Sequence, residues 1–222
     1  MRRLFCNLVP VVGMLLLAPL MLQAEPVEQI NHGRLQQTLA TLAESDGFFC
    51  RFTQIVYFAG GGDQLYSGTL FIRRPGHFRW QYMIPYQQLY VSAGDVVWHY
   101  EPDLMQAERI TELDAIDPVA MKLLDGRIGV KDIEVLGSEP VDNDIIAYRI
   151  RLAGGSELSF AVDANNQPVW IESEDMLGNR NRVILSDIDM QDIPDSEFEF
   201  AVPEGVDVVD ISAAEADNGH LE

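Results

Sequence analysis

Four histidines and two cysteines are the only imidazoles and thiols in this 222-residue sequence. They do not form a site. His32, His77, His99 and His220 show no metal-ligand spacing, and Cys6 falls in an apolar N-terminal run, so Cys50 alone could join them. Asp187, Asp189 and Asp192 have part of the spacing of a calcium loop. They lack its glycine and its terminal bidentate glutamate, and they read as a solvated strand face. No G-x-S-x-G elbow, H-E-x-x-H pair or phosphate-cradling G-x-x-x-x-G-K-[ST] loop occurs. No catalytic set, metal or cofactor is expected, and no enzyme.

The residues that stand out lie in GTLFIRRPGHFRWQYMIP, positions 68–85. Three arginines and a histidine crowd residues 73–79, interleaved with Phe71, Phe78, Trp80 and Tyr82. Basic residues between aromatics can bind single-stranded nucleic acid, but the whole chain carries −20. Residues 1–24 hold Arg2 and Arg3 and no acid, so removing them leaves 13 basic against 35 acidic side chains, or −22. Such a chain is repelled by nucleic acid and by anionic surfaces. No nucleic acid partner is expected.

Register gives the arginines different roles. A three-residue turn at 75–77 pairs Arg74 with Phe78, Ile72 with Trp80 and Leu70 with Tyr82. Opposed residues share a face, so the apolar side chains gather on one side. Arg73 and Arg79 fall on the other face, and Arg74 alone points with the apolar set. In the next hairpin, with loop 92–95, Val91 opposes Val96 and Leu89 opposes Trp98. The two hairpins together predict a broad apolar wall. A guanidinium on that wall either keeps its head wet at the rim or reaches the carbonyls of a covering segment.

The supporting elements follow from period and breakers. Met1-Arg2-Arg3, the apolar run Leu4–Leu22 and Ala24 before Glu25-Pro26 have the layout of a cleaved signal peptide over 1–24. Residues 25–211 are expected to form one domain, with a disordered acidic tail at 212–222. The lone mature cysteine, Cys50, alternates with Phe48 and Phe52 and is expected to be buried and inert. A helix is predicted over 27–43. Strands follow at 48–57, 65–73, 78–83, 87–91, 95–101, 106–112, 131–137, 145–152, 156–162, 168–175, 181–189 and 197–202. Asp117-Pro118 and Gly126 bound a short helix, 117–125, that is apolar on nearly every side. It is either a core helix or a lid. Strands in meander order imply a mainly β (α+β) protein built on a large curved antiparallel sheet.

Several motifs, in order, resemble the LolA family of periplasmic outer-membrane lipoprotein carriers. They are Phe52-Thr53-Gln54; Gly68-x-Leu70 leading to Arg73-Arg74-Pro75 and Phe78-x-Trp80; Val91-Ser92-x-Gly94; Trp98-x-Tyr100; Gln106; and Phe198-x-Phe200 before Val202-Pro203-x-Gly205-Val206. The marked acidity and Gly60-Gly61-Gly62 depart from the family pattern.

The resemblance implies an open, incomplete antiparallel β-barrel whose apolar concave face is covered by short helices. It implies a soluble periplasmic chaperone that shields the acyl chains of lipoproteins between the inner and outer membranes. The expected lipid-binding cavity is lined by Phe48, Phe52, Leu70, Ile72, Phe78, Trp80, Leu89, Val91 and Trp98. Arg74 matches the family arginine that holds the lid in the empty form, and the lid is then 117–125, with Val119, Met121, Leu123 and Leu124. The implied partners are acylated lipoproteins as cargo, an inner-membrane ABC transporter that loads them and an outer-membrane lipoprotein receptor that unloads them, with the carrier a monomer. The alternative is a carrier of another lipid or glycolipid on the same scaffold.

Overall fold

A computed structural model describes residues 32–94, 96–111, 124 and 128–211. The signal peptide over 1–24, residues 27–31 of the predicted first helix, Val119, Met121 and Leu123 of the predicted lid, and the tail at 212–222 lie outside the described residues.

Helix α1 (Gly33–Glu44) buries Leu35, Leu39 and Leu42, the stripe that its 3.6-residue period aligns on one side. Gly47 then opens a meander: β1 (Gly47–Tyr57), β2 (Asp63–Arg73), β3 (His77–Ile84), β4 (Gln88–Ala93), β5 (Val97–Glu101) and β6 (Gln106–Ile110). The second half runs β7 (Ile133–Pro140), β8 (Ile146–Leu152), β9 (Glu157–Val162), β10 (Pro168–Glu174), β11 (Arg180–Asp189) and β12 (Asp207–Ile211).

These strands form a single 12-stranded sheet in the order β12-β6-β5-β4-β3-β2-β1-β11-β10-β9-β8-β7. Its end strands, β12 and β7, do not meet, so the barrel stays open. The meander places β1 at the centre, where it joins both halves by pairing with β2 and β11.

Period two then gives the sheet two different faces. On the inner face, Phe48 opposes Ile72, which opposes Phe78, and Cys50 opposes Leu70, which opposes Trp80. The same face continues through Leu185, Val183, Ile171, Phe160 and Tyr148 in the other half. With the three leucines of α1 they make one buried cluster. Gly68 is required at its centre: a Cβ there would lie 1.8 Å from the Gln81 carbonyl oxygen and 3.0 Å from the Phe52 ring.

Three expectations need correction. The hairpin at 73–77 pairs Arg73 with His77 and Ile72 with Phe78, so its turn is 74–76 and not 75–77. The cause lies on the other neighbour: the Arg74 amide donates to the Asp46 carbonyl oxygen at 2.9 Å and is drawn out of the β2–β3 ladder. Parity is unchanged, so Arg74 keeps its alignment with Ile72. In the next hairpin Val91 opposes Trp98 and Leu89 opposes Tyr100, again two residues from the expected register.

The third concerns 197–202, which is not a strand. A 3-10 turn occupies Asp195–Phe198, and the final strand is β12, parallel to β6. The alternation of Phe198 and Phe200 serves packing across the sheet instead of pairing within it. Phe198 is buried beneath the Arg73 guanidinium and beside the His77 ring, and Phe200 packs on Trp98 and Tyr100. Arg73 donates to the Ile193 carbonyl and Arg79 to that of Glu197, so the segment's acceptors are taken up by side chains of the outer face.

Candidate ligand-binding face

Of the residues expected in the cavity, Phe48, Phe52, Leu70, Ile72, Phe78 and Trp80 come together on the inner face, each less than 9% exposed. Phe52 meets Trp80 and Tyr82 edge-on, with ring centroids 5.3 and 5.0 Å away. These edge-to-face contacts fix the rings where β1, β2 and β3 cross the middle of the sheet. Cys50, among them, is fully buried, and burial pushes its thiol up to about 12. It is a small apolar filler there.

Leu89, Val91 and Trp98 do not join them. Val91 opposes Arg79 and Leu89 opposes Gln81, so both project from the outer face, and Trp98 follows Val91. Val91, Ala93 and Trp98 line a groove closed by Phe198, Phe200 and Ala201. Hydrophobicity misled here because both faces of this part of the sheet are buried: Val97 and Ile110 oppose each other on the inner face, and Val91 lies beneath residues 194–201 on the outer one.

Arg74 stands at the end of β2 beside the inner face. One guanidinium nitrogen, Nη1, donates to Ser45, to its carbonyl oxygen and to its Oγ at 2.8 Å. The other, Nη2, donates to the Leu124 carbonyl oxygen at 2.8 Å. Leu124 itself is fully buried in the same apolar cluster as Leu35 and Ile72. A planar fork of donors can span two such acceptors where a lysine, a single charged point, could not hold the same geometry. The guanidinium therefore ties together the α1–β1 junction and the segment that carries Leu124.

A polar strip on this face escaped the sequence reading. Trp80, Tyr90, His99 and Glu108 are directly opposed across β3 to β6. Tyr90 stacks on His99 at 4.1 Å, and His99 Nδ1 lies 2.9 Å from Glu108 Oε2, with Glu101 on its other side at 3.7 Å. Burial first, then the charges of Glu101 and Glu108, push the Tyr90 hydroxyl up to about 12. Among the described residues the buried Trp80 Nε1 has no hydrogen-bond partner. The signal that could have found this strip was parity: the odd-length connection between β3 and β4 sets even residues against even ones. The inner face is thus amphipathic.

Residues 43–201 match the family model described as outer membrane lipoprotein carrier protein LolA. The outer-membrane lipoprotein carrier protein of Bordetella pertussis (strain Tohama I) is 35% identical over 182 residues, which cover 79% of this chain and 84% of that protein. The protein of the same name from Chromohalobacter salexigens is 30% identical over 217 residues, covering 89% of this chain and 94% of that one. Among solved structures, an uncharacterized conserved protein from Thermus thermophilus superposes with a TM-score of 0.51 over 79% of this chain and 98% of that chain, at 12% identity, a likeness of fold alone. On the match over 43–201 and these identities, the chain belongs to the LolA family of outer-membrane lipoprotein carrier proteins.

Proposed function

We propose that this protein is a periplasmic carrier that holds the acyl chains of lipoproteins on its inner face and ferries them between membranes. The names of its relatives support the cargo. Physical chemistry supports the need: each methylene moved out of water is worth about 0.8 kcal/mol, and a triacylated anchor carries on the order of 40. Unassisted transit through water is ruled out by that increment. The layout of residues 1–24 supports export with cleavage after Ala24.

The observation that carries the mechanism is the Arg74 fork between Ser45 and Leu124. In this reading it latches a lid, residues 117–125, over the inner face of the empty form. Val119, Met121, Leu123 and Leu124 then occupy apolar space that cargo must claim. Cargo competes with the lid, so binding is adequate for transport and weak enough for release. The chain has no nucleotide motif, and energy for loading comes from an inner-membrane ABC transporter, with an outer-membrane lipoprotein receptor taking delivery. The carrier works as a monomer.

A transfer assay tests the latch. Arg74→Leu removes the fork, opens the lid and slows hand-over of bound lipoprotein at least severalfold. Hand-over at the parental rate would rule out the latch.

A further inference from the structure

The strand directions place the turns after β1, β3, β5, β8 and β10 at one end of the sheet; the β8 turn is the small Gly154-Gly155-Ser156, and the other four are larger and apolar. Their tips carry large apolar side chains out in solvent: Phe58, Ile84, Tyr86, Leu104, Met176 and Leu177. Met176 is 104% exposed and Leu177 79%. The turns at the opposite end include Ser45-Asp46, Arg74-Pro75-Gly76, Val141 to Asp144 and Asp163 to Gln167, and among these Val141 alone is an exposed large apolar side chain.

The apolar end is held in shape. The Asp175 carboxylate accepts the Leu177 and Asn179 amides at 2.8 and 2.9 Å and the Asn179 side chain at 2.7 Å. Asn179 Oδ1 in turn accepts the Ala59 amide at 3.0 Å, fastening the β10–β11 turn to the β1–β2 turn. A turn so braced presents Met176 and Leu177 to water with nothing in the fold gained by their apolarity. Residues 58–62, 84–87 and 176–179 contain no Asp, Glu, Lys or Arg, and the turn after β5 carries one acid, Asp103, beside Leu104.

We infer that this end of the sheet is a membrane-contact rim, whose tips insert into the interface of a bilayer with neutral headgroups. Two features select a lipid surface over a protein partner. The turns span eight neighbouring strands from β10 to β6, an arc of about 35 Å at the usual strand spacing. Isolated tips along such an arc can all reach a flat, deformable surface at once, whereas a protein pocket takes a contiguous patch. The charge selects the headgroup: with −20 overall, adhesion to an anionic surface is opposed, and contact depends on the uncharged tips. The inference is independent of what occupies the inner face.

Vesicle flotation of the processed protein tests it. With phosphatidylcholine vesicles the protein is expected to float, and Met176→Ser/Leu177→Ser to lower the partition coefficient on the order of tenfold. Tyr86→Ser should lower it further, while Val141→Ser, at the opposite end, should leave it unchanged. Doping with phosphatidylglycerol should weaken binding at low salt and restore it at high salt, the reverse of charge-driven adhesion. Absence of the parent protein from the vesicle fraction, or equal flotation of the double variant with unchanged melting, would overturn the rim. So would sedimentation showing that the tips join two copies of the chain, with no vesicle binding.

Discussion

Arg74 donates from Nη2 to the main-chain carbonyl of Leu124 at 2.8 Å, joining the end of β2 to a residue fifty positions further along the chain. The same guanidinium holds Ser45 through Nη1. One side chain therefore links the junction of α1 and β1, the end of β2 and the main chain of Leu124. Removing it leaves at least two carbonyls in partly buried surroundings without a charged donor. Arg74→Leu is expected to lower the unfolding free energy of the empty protein by about 1–3 kcal/mol. Urea titration checks this. An unchanged midpoint would mean that the carbonyls are satisfied without Arg74.

The two tryptophans on opposite faces should separate cleanly. Trp80→Ala strips a ring from the inner face and is expected to weaken binding of a fluorescent fatty-acid probe on the order of tenfold. Trp98→Ala, on the outer face against Phe200, should leave that affinity within twofold. If both variants lose affinity alike, the assignment of faces to functions is wrong.

Residues 194–201 are expected to support the stability of the sheet through Phe198 and Phe200. Phe198 is 3% exposed beneath Arg73, and Phe198→Ala should cost about 3 kcal/mol, the usual penalty for emptying a buried aromatic site. Chemical denaturation reads the loss. A variant of parental stability would show that the segment rests on the sheet without supporting it.

Cys50 and Tyr90 make stability fall at alkaline pH. Both are acids whose neutral form is favoured by burial, with pKa values raised to about 12 from 9.0 and 10.0. Their contribution is complete below the unfolded values. It is lost as pH climbs from 9 to 12 for Cys50 and from 10 to 12 for Tyr90, because the unfolded chain releases those protons first. Cys50→Ala and Tyr90→Phe should each flatten the alkaline limb of stability against pH. In the native protein Cys50 should react with a thiol reagent only at the rate of opening, and fast labelling at about pH 8 would contradict its burial.

Much of the β meander could be read from alternation and turn residues, because a half-buried strand must repeat every two residues. Parity also aligned Arg74 with Ile72, Phe78 and Trp80 although the pairing itself was two residues out. What parity within a hairpin does not supply is the link between hairpins. The connection from β3 to β4 decides which face Leu89, Val91 and Trp98 join, and apolarity cannot decide it where both faces are covered. The same gap hid Tyr90, His99 and Glu108, whose polar types look like solvent-facing residues until they are set across from Trp80. Phe198 and Phe200 alternate as a strand does, yet their rings cross the sheet as a strap. The inner faces of β8 to β11 and the leucines of α1 were read as elements without being assigned to the site, since nothing local in them distinguishes an ordinary core from a ligand-binding wall.

The most direct measurement is mass spectrometry of the protein drawn from the periplasm without detergent. Triacylated lipoproteins bound at up to one per chain, enriched in the Arg74→Leu variant, are the expected result. Free lipids alone, or no ligand in either protein, would contradict the account.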